Sequence, residues 1–238
     1  MDVPNFVMGL GSLIAGISSL SNAFKKKQRR GVGGLGKLAM TGQHDSINGG
    51  PSARIFRVNN IDDRLAAVAQ MVMISIRDPR VRQLAVSIVS KRCNEPNHKT
   101  GDGGWCLDER DYWGEVQAIF YWMRANVRYV RDPSTIDTFA TAMRTIEAHG
   151  GDCDDYQIAL AALLMTIGYP VKMKTIRTKD FADWNHIYLV VGLPPGKPTK
   201  WRALDASVKQ PAGWEAPASI IAQARVDSPD DRKWVGYF

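Results

Sequence analysis

Cysteine is scarce in this chain, with three among 238 residues. An odd number cannot close into a full disulfide scaffold, and so small a count mildly favours a reducing compartment. No paired C-x-x-C is present, which leaves a structural zinc site little to build on. No apolar run reaches the ~20 residues that a membrane-spanning helix needs. The N-terminal run, residues 6–20, is shorter and is interrupted by serines. A secretory leader is not expected either, because Asp2 precedes that run and the lysines and arginines follow it. No internal repeat is present. What remains is ordinary for a globular protein: 45% hydrophobic and 23% charged residues. The length suits one sizeable domain with an extension.

The net charge of +7 is local. Lys25, Lys26, Lys27, Arg29, Arg30 and Lys37 lie in residues 25–37, which contain no acid. Subtracting these six from +7 leaves +1 for all the other residues. The basic character therefore belongs to an arm and not to a nucleic-acid-binding face of the domain.

Three units follow from the pattern. In residues 1–24, Phe6, Leu10, Leu13, Ile17, Leu20 and Phe24 recur at spacings of four and three, an amphipathic helical seam. Gly9, Ser12, Gly16, Ser19 and Ala23 form a second stripe of small residues, which lets another backbone approach closely. Residues 25–52 are a basic, glycine-rich linker. Residues 53–238 are the globular domain. Helices are expected over 61–76, 81–91 and 115–127, with a short strand at 127–130 and a short helix over 136–148. A further helix is expected from the turn at Gly151 to about Gly168. Strands of period two follow at 171–178, 184–192 and 200–206, and a last short helix at 216–225. Helices first and an antiparallel sheet later define an α+β fold.

Cys153 is the residue with the clearest chemistry. It stands where a polar turn gives way to an apolar helix, at the positive end of the helix dipole, which favours thiolate. His186 lies in a strand-like run and can act as its base. Asp205 ends the next strand and can hold the imidazole tautomer. The backbone N–H of Cys153 is a natural oxyanion donor, and Trp122, Tyr129 and Trp184 are candidates for a second. Each residue alone has an ordinary structural use; the ordered set carries the reading. Asp152, Asp154 and Asp155 oppose thiolate formation, and the dipole and His186 must outweigh them.

The runs Asn126-Val127-Arg128-Tyr129-Val130-Arg131-Asp132-Pro133, Gly151-Asp152-Cys153-Asp154-Asp155, Ile167-Gly168-Tyr169-Pro170-Val171, Asn185-His186 and Leu204-Asp205 resemble the transglutaminase-like superfamily. The resemblance covers roughly residues 62–208. It implies a papain-like core in which the cysteine helix packs on an antiparallel sheet, with Cys153 as nucleophile, His186 as base and Asp205 as orienter. It does not fix the reaction, since the superfamily includes crosslinkers, deamidases, peptidases and inactive scaffolds. Nothing resembles the calcium sites of animal transglutaminases, and no cofactor is expected. The compact chain with its apolar, basic-linked N-terminus also resembles small transglutaminase-like proteins encoded by tailed bacteriophages.

Cys93, His98 and Cys106 form a second cluster. Two thiols in a polar loop come first among its readings, a Cys93–Cys106 disulfide second, and a metal site completed by Asp102 or Asp108 third. The loop of residues 94–111 could border the active-site cleft as a substrate flap.

Two functions are open. The first is a cysteine-nucleophile acyl-transfer enzyme, acting on a protein or peptide through a thioester. The second is a structural or adaptor component of a virion that uses the same fold without catalysis. In either, residues 1–52 are expected to attach the chain to other subunits of a large assembly. Lys25 to Lys37 add weak contact with nucleic acid or a membrane surface. The expected location is the virion or the host cytoplasm.

Overall fold

The computed structural model describes residues 53–56, 58–93, 104–132 and 138–235. The N-terminal seam and the basic linker lie outside the described residues, as do His98 and Asp102. The chain opens with β1 (Ala53–Ile55), followed by α1 (Ile61–Ser75) and α2 (Pro79–Val89). Asn60 caps α1 by accepting the N–H of Asp63 at 3.0 Å, and Asp78 caps α2, which starts on Pro79. Such caps each contribute about 1 kcal/mol.

Then come α3 (Tyr112–Asn126), β2 (Arg128–Tyr129), β3 (Thr138–Ala140), α4 (Ala142–Glu147) and β4 (Gly150–Gly151). β3 pairs antiparallel with β1, and β2 pairs parallel with β4. The helix expected over 136–148 is therefore only its second half, α4. Residues 138–140 are extended because β1, far away in sequence, supplies a ladder partner.

α5 (Cys153–Thr166) is the central helix, and residues 154–164 are buried on every side of it. It packs against α1, α2, α3, α4 and β6. A helix apolar all round must be enclosed in this way. The sheet follows, built from β5 (Val171–Thr178), β6 (His186–Leu193), β7 (Lys200–Leu204) and β8 (Ile221–Asp227), in the order β7-β6-β5-β8 and antiparallel throughout. Ile187, Leu189 and Val191 of β6 enter the main core with Leu204 of β7. The fold is thus α+β, with the cysteine-bearing helix on an antiparallel sheet.

β8 corrects the helix expected at 216–225. Alanine and glutamine there favour a helix by local propensity, but the open edge of β5 offers a ladder from Thr178↔Ile221 to Met173↔Asp227, with one register shift between Arg177 and Thr178. Long-range pairing overrides a weak local preference. On the other face of the sheet, Ile176, Tyr188, Ala203 and Ala216 form a small second cluster.

Cys93 and Cys106 are joined in a disulfide with 4.8 Å between their Cα atoms. The expectation of two thiols is corrected, and so is the metal reading, because bridged sulfurs are no longer thiolate ligands. The bridge joins two segments that pair antiparallel at Arg92 and Trp105. Cys93 donates its N–H to Gly104 at 2.7 Å and Cys106 donates to Lys91 at 2.9 Å, while the Arg92 guanidinium lies 3.7 Å from the centre of the Trp105 ring.

Candidate active site

The start of α5 is built by its own acids. Asp152 is the N-cap, and its Oδ1 accepts the N–H groups of Asp154 at 3.0 Å and Asp155 at 3.3 Å. Asp155 answers as the third residue of the helix, its Oδ2 accepting the Asp152 N–H at 3.4 Å. This capping box satisfies donors that a helix end otherwise leaves open. The other oxygen of Asp155 accepts the Ala140 N–H at 2.8 Å and ties the helix to β3. Gly151 must be glycine here, since a Cβ would sit 2.6 Å from that of Asp155.

Cys153 is the first residue of α5 and half-buried; it stands outside the disulfide. Its Sγ lies 4.0 Å from Asp154 Oδ1. The other Asp154 oxygen, Oδ2, is held by the Arg64 guanidinium of α1 in an ion pair that is almost wholly buried. Burial works against the Arg64 cation, but Asp154, Cys153 and Asp152 outweigh it and hold its pKa above the ordinary value. The acids differ from one another. Burial, followed by the charges of Asp154 and Asp155, pushes Asp152 well above the usual carboxylate range. Burial pushes Asp155 up to about 7 against the pull of its Ala140 hydrogen bond. At neutral pH the surroundings of the thiol are therefore much less negative than three aspartates suggest.

His186 begins β6, just after Asn185, whose Oδ1 accepts the Thr178 N–H at 2.8 Å and fixes the entry to the strand. The His186 Nε2 lies 2.5 Å from Asp205 Oδ2. Asp205 follows β7, and the hairpin that joins β6 to β7 brings the two residues together. Ser207 fills the other carboxylate oxygen, donating its hydroxyl to Oδ1 at 2.6 Å and its N–H at 3.2 Å. Burial lowers the His186 pKa, but the Asp205 charge and hydrogen bond overcome it, with help from Asp154, and the net shift is upward. Burial raises Asp205, but His186 and Ser207 overcome it, and the net shift is downward. With Nε2 spent on Asp205, Nδ1 is the ring nitrogen left for proton transfer.

The structure thus joins His186 to Asp205 directly. It places Cys153 on the helix that packs against β6, beside Asp154, which lies 4.0 Å from the thiol and whose charge acts on His186. Of the candidates for a second oxyanion donor, Trp122 lies partly buried on α3 and Trp184 partly buried ahead of β6. Tyr129 lies on β2, beside the Gly150–Gly151 strand that leads into Cys153. Burial, then the charges of Cys153 and Asp152, raise its phenol pKa. Asp152, Cys153 and Asp154 present possible ligand atoms within 4.8 Å of one another, but the carboxylates are engaged by the cap and by Arg64. Arg64 and Ser207 escaped sequence reasoning. Ser207 had a local signal, because a serine two residues after an aspartate often closes such a turn. Arg64 had none.

Residues 106–206 match the family model of the transglutaminase-like superfamily. None of the curated proteins matches the chain. Among solved structures, it is similar to a candidate protease from Parabacteroides distasonis at 12% identity and a TM-score of 0.40, over 62% of this chain and 27% of that one. It is also similar to a candidate cysteine protease from Cytophaga hutchinsonii at 19% identity and a TM-score of 0.37, over 65% of this chain and 50% of that one. The chain thus spans a quarter to a half of the length of these two structures. Among the described residues, no helix is long and apolar enough to cross a membrane.

Proposed function

From the premise that residues 106–206 carry a transglutaminase-like core, we propose that the chain is a cysteine acyl-transfer enzyme with Cys153 as its nucleophile. The observation that carries this reading is the buried His186–Asp205 pair at 2.5 Å, with His186 on β6, a strand packed against the helix that Cys153 opens. His186 takes the thiol proton on Nδ1, and Asp205 stabilises the imidazolium that results. The thiolate sulfur attacks a carboxamide or peptide carbonyl, and an S–C bond forms. Negative charge collects on the carbonyl oxygen, where the Cys153 N–H and the Tyr129 hydroxyl would donate. The C–N bond then breaks, and the leaving nitrogen takes the proton from His186. The resulting thioester is cut by water or a second amine, which His186 deprotonates, and the Cys153 thiol is restored. Hydrolysis, deamidation and transamidation share these steps: the first two pass the acyl group to water and differ in the amine or ammonia released, and the third passes it to an amine.

The experiment is trapping. A carboxamide-bearing peptide library incubated with the protein should yield a thioester on Cys153 detectable by mass spectrometry, and Cys153→Ala should remove it. Failure of any acyl adduct to form, with the fold intact, would favour the adaptor reading. Residues 1–52 would then be the working part, docking on subunits of a large assembly through the Phe6–Leu10–Leu13–Ile17–Leu20–Phe24 seam. In both readings that arm is the attachment device, with the virion or host cytoplasm as its setting. Deleting residues 1–52 should abolish co-sedimentation with the assembly.

A further inference from the structure

A buried arginine needs a reason. Taking a guanidinium out of water is costly, and a surface position on a helix would avoid that cost. Arg64 lies on α1 amid Leu65, Ala66, Ala67 and Val68, and its side chain is only 8% exposed. Its partner Asp154 is 1% exposed and is 90 residues away in sequence. The partner is also the residue next to Cys153, and the two Asp154 oxygens have different neighbours. Oδ2 meets the guanidinium, and Oδ1 lies 4.0 Å from the Cys153 sulfur. The ring of Phe139 on β3 lies 5.9 Å from the guanidinium carbon and closes another side.

We infer that Arg64 is a positioning residue for Cys153: it fixes the Asp154 carboxylate beside the thiol and supplies the buried positive charge that offsets the aspartates around it. The inference deepens the proposed nucleophilic role of Cys153 and rests on it.

The charged and titratable groups around the thiol come from several elements. Asp152, Asp154 and Asp155 lie at the start of α5, Arg64 on α1 and Tyr129 on β2, with Asp132 beyond β2 and His186 on β6. Arg131 also acts on Tyr129. Within this set, Arg64 is the cation placed against Asp154. An ionised Asp154 without its counter-ion would face the thiol directly and disfavour thiolate. An opposite charge within ~4–6 Å shifts a titration by about 1–3 units, so the effect is large enough to measure.

The test is the pH profile of Cys153 alkylation by iodoacetamide in the full chain, with the Cys93–Cys106 bridge kept intact and labelling read at Cys153 by mass spectrometry. Asp154→Asn keeps a side chain that can still bond Arg64 but removes the negative charge. It should move the midpoint down by about one pH unit. Arg64→Met should move it up by a similar amount, and Arg64→Lys should return it toward wild type. A purely structural ion pair would lower the melting temperature of the variants and leave every midpoint within about 0.3 units of wild type; that result overturns the inference. A failure of the nucleophile reading looks different: the wild-type midpoint itself would be that of an ordinary thiol and indifferent to His186.

Discussion

The buried aspartates at the start of α5 and the one past the end of β7 behave in opposite ways. At the start of α5, Asp152 and Asp155 lie among other acids and are pushed toward the neutral form. Past the end of β7, Asp205 is just as deeply buried but meets an imidazole and a serine, and it is held ionised. Burial alone favours the protonated acid in both places; the partner decides the outcome. The helix start uses its acids as hydrogen-bonding frame, whereas the strand end uses its acid as charge. Between them lies Asp154, which has a buried guanidinium, that of Arg64, as its ion-pair partner.

The sharpest way to break the contrast is to neutralise the ionised acid. Asp205→Asn should lower the rate of acyl-enzyme formation about 10⁴-fold, the loss seen when a triad aspartate is replaced by its amide. The His186 pKa should fall toward or below its ordinary value, read by NMR of the imidazole. An unchanged titration would mean that Asp205 does not govern His186.

The next largest effect is on stability. Arg64→Met leaves Asp154 buried without its cation, and breaking a buried pair costs about 3–5 kcal/mol. Urea denaturation should show a loss of that size, and Arg64→Met with Asp154→Leu should recover part of it.

The third effect is pH dependence. The folded pKa of Asp155, about 7, stands above its unfolded value of 3.8. Between those values the unfolded state releases a proton that the folded state keeps, so the Asp155 contribution is fully present below 3.8 and is lost as pH rises toward 7. Asp155→Asn should flatten that part of the stability profile while retaining a side-chain oxygen for the cap. An identical slope in the variant would place the loss elsewhere.

The smallest effect concerns Gln157, one turn beyond Cys153. Its amide is fully buried, and neither its nitrogen nor its oxygen has a hydrogen-bond partner among the described residues. Gln157→Leu should be neutral or stabilise by about 1 kcal/mol, measured by thermal melting, because it removes an uncompensated polar group.

The parts of the fold legible in the sequence were those with strict local patterns. The central helix announced itself through the apolar run that follows the polar turn at Gly151, and β5, β6 and β7 through alternation. β8 and β3 were not legible, because each is a strand only by virtue of a distant partner, β5 for one and β1 for the other. The disulfide was one of several readings, since the sequence did not show that the chain turns back from Cys93 to Cys106. In the site, His186 and Asp205 stood on consecutive strands and needed only a hairpin to meet. Arg64 was invisible: an arginine in a helix looks like a solvated side chain until the fold carries Asp154 against it.

The central claim is that Cys153 is a nucleophile activated by His186. The most direct measurement is the pH dependence of Cys153 alkylation in the wild type and in His186→Ala. The expected result is a wild-type thiolate midpoint well below the ordinary value of about 8.5, which the variant abolishes. A midpoint near about 8.5 that is the same in both proteins would contradict it.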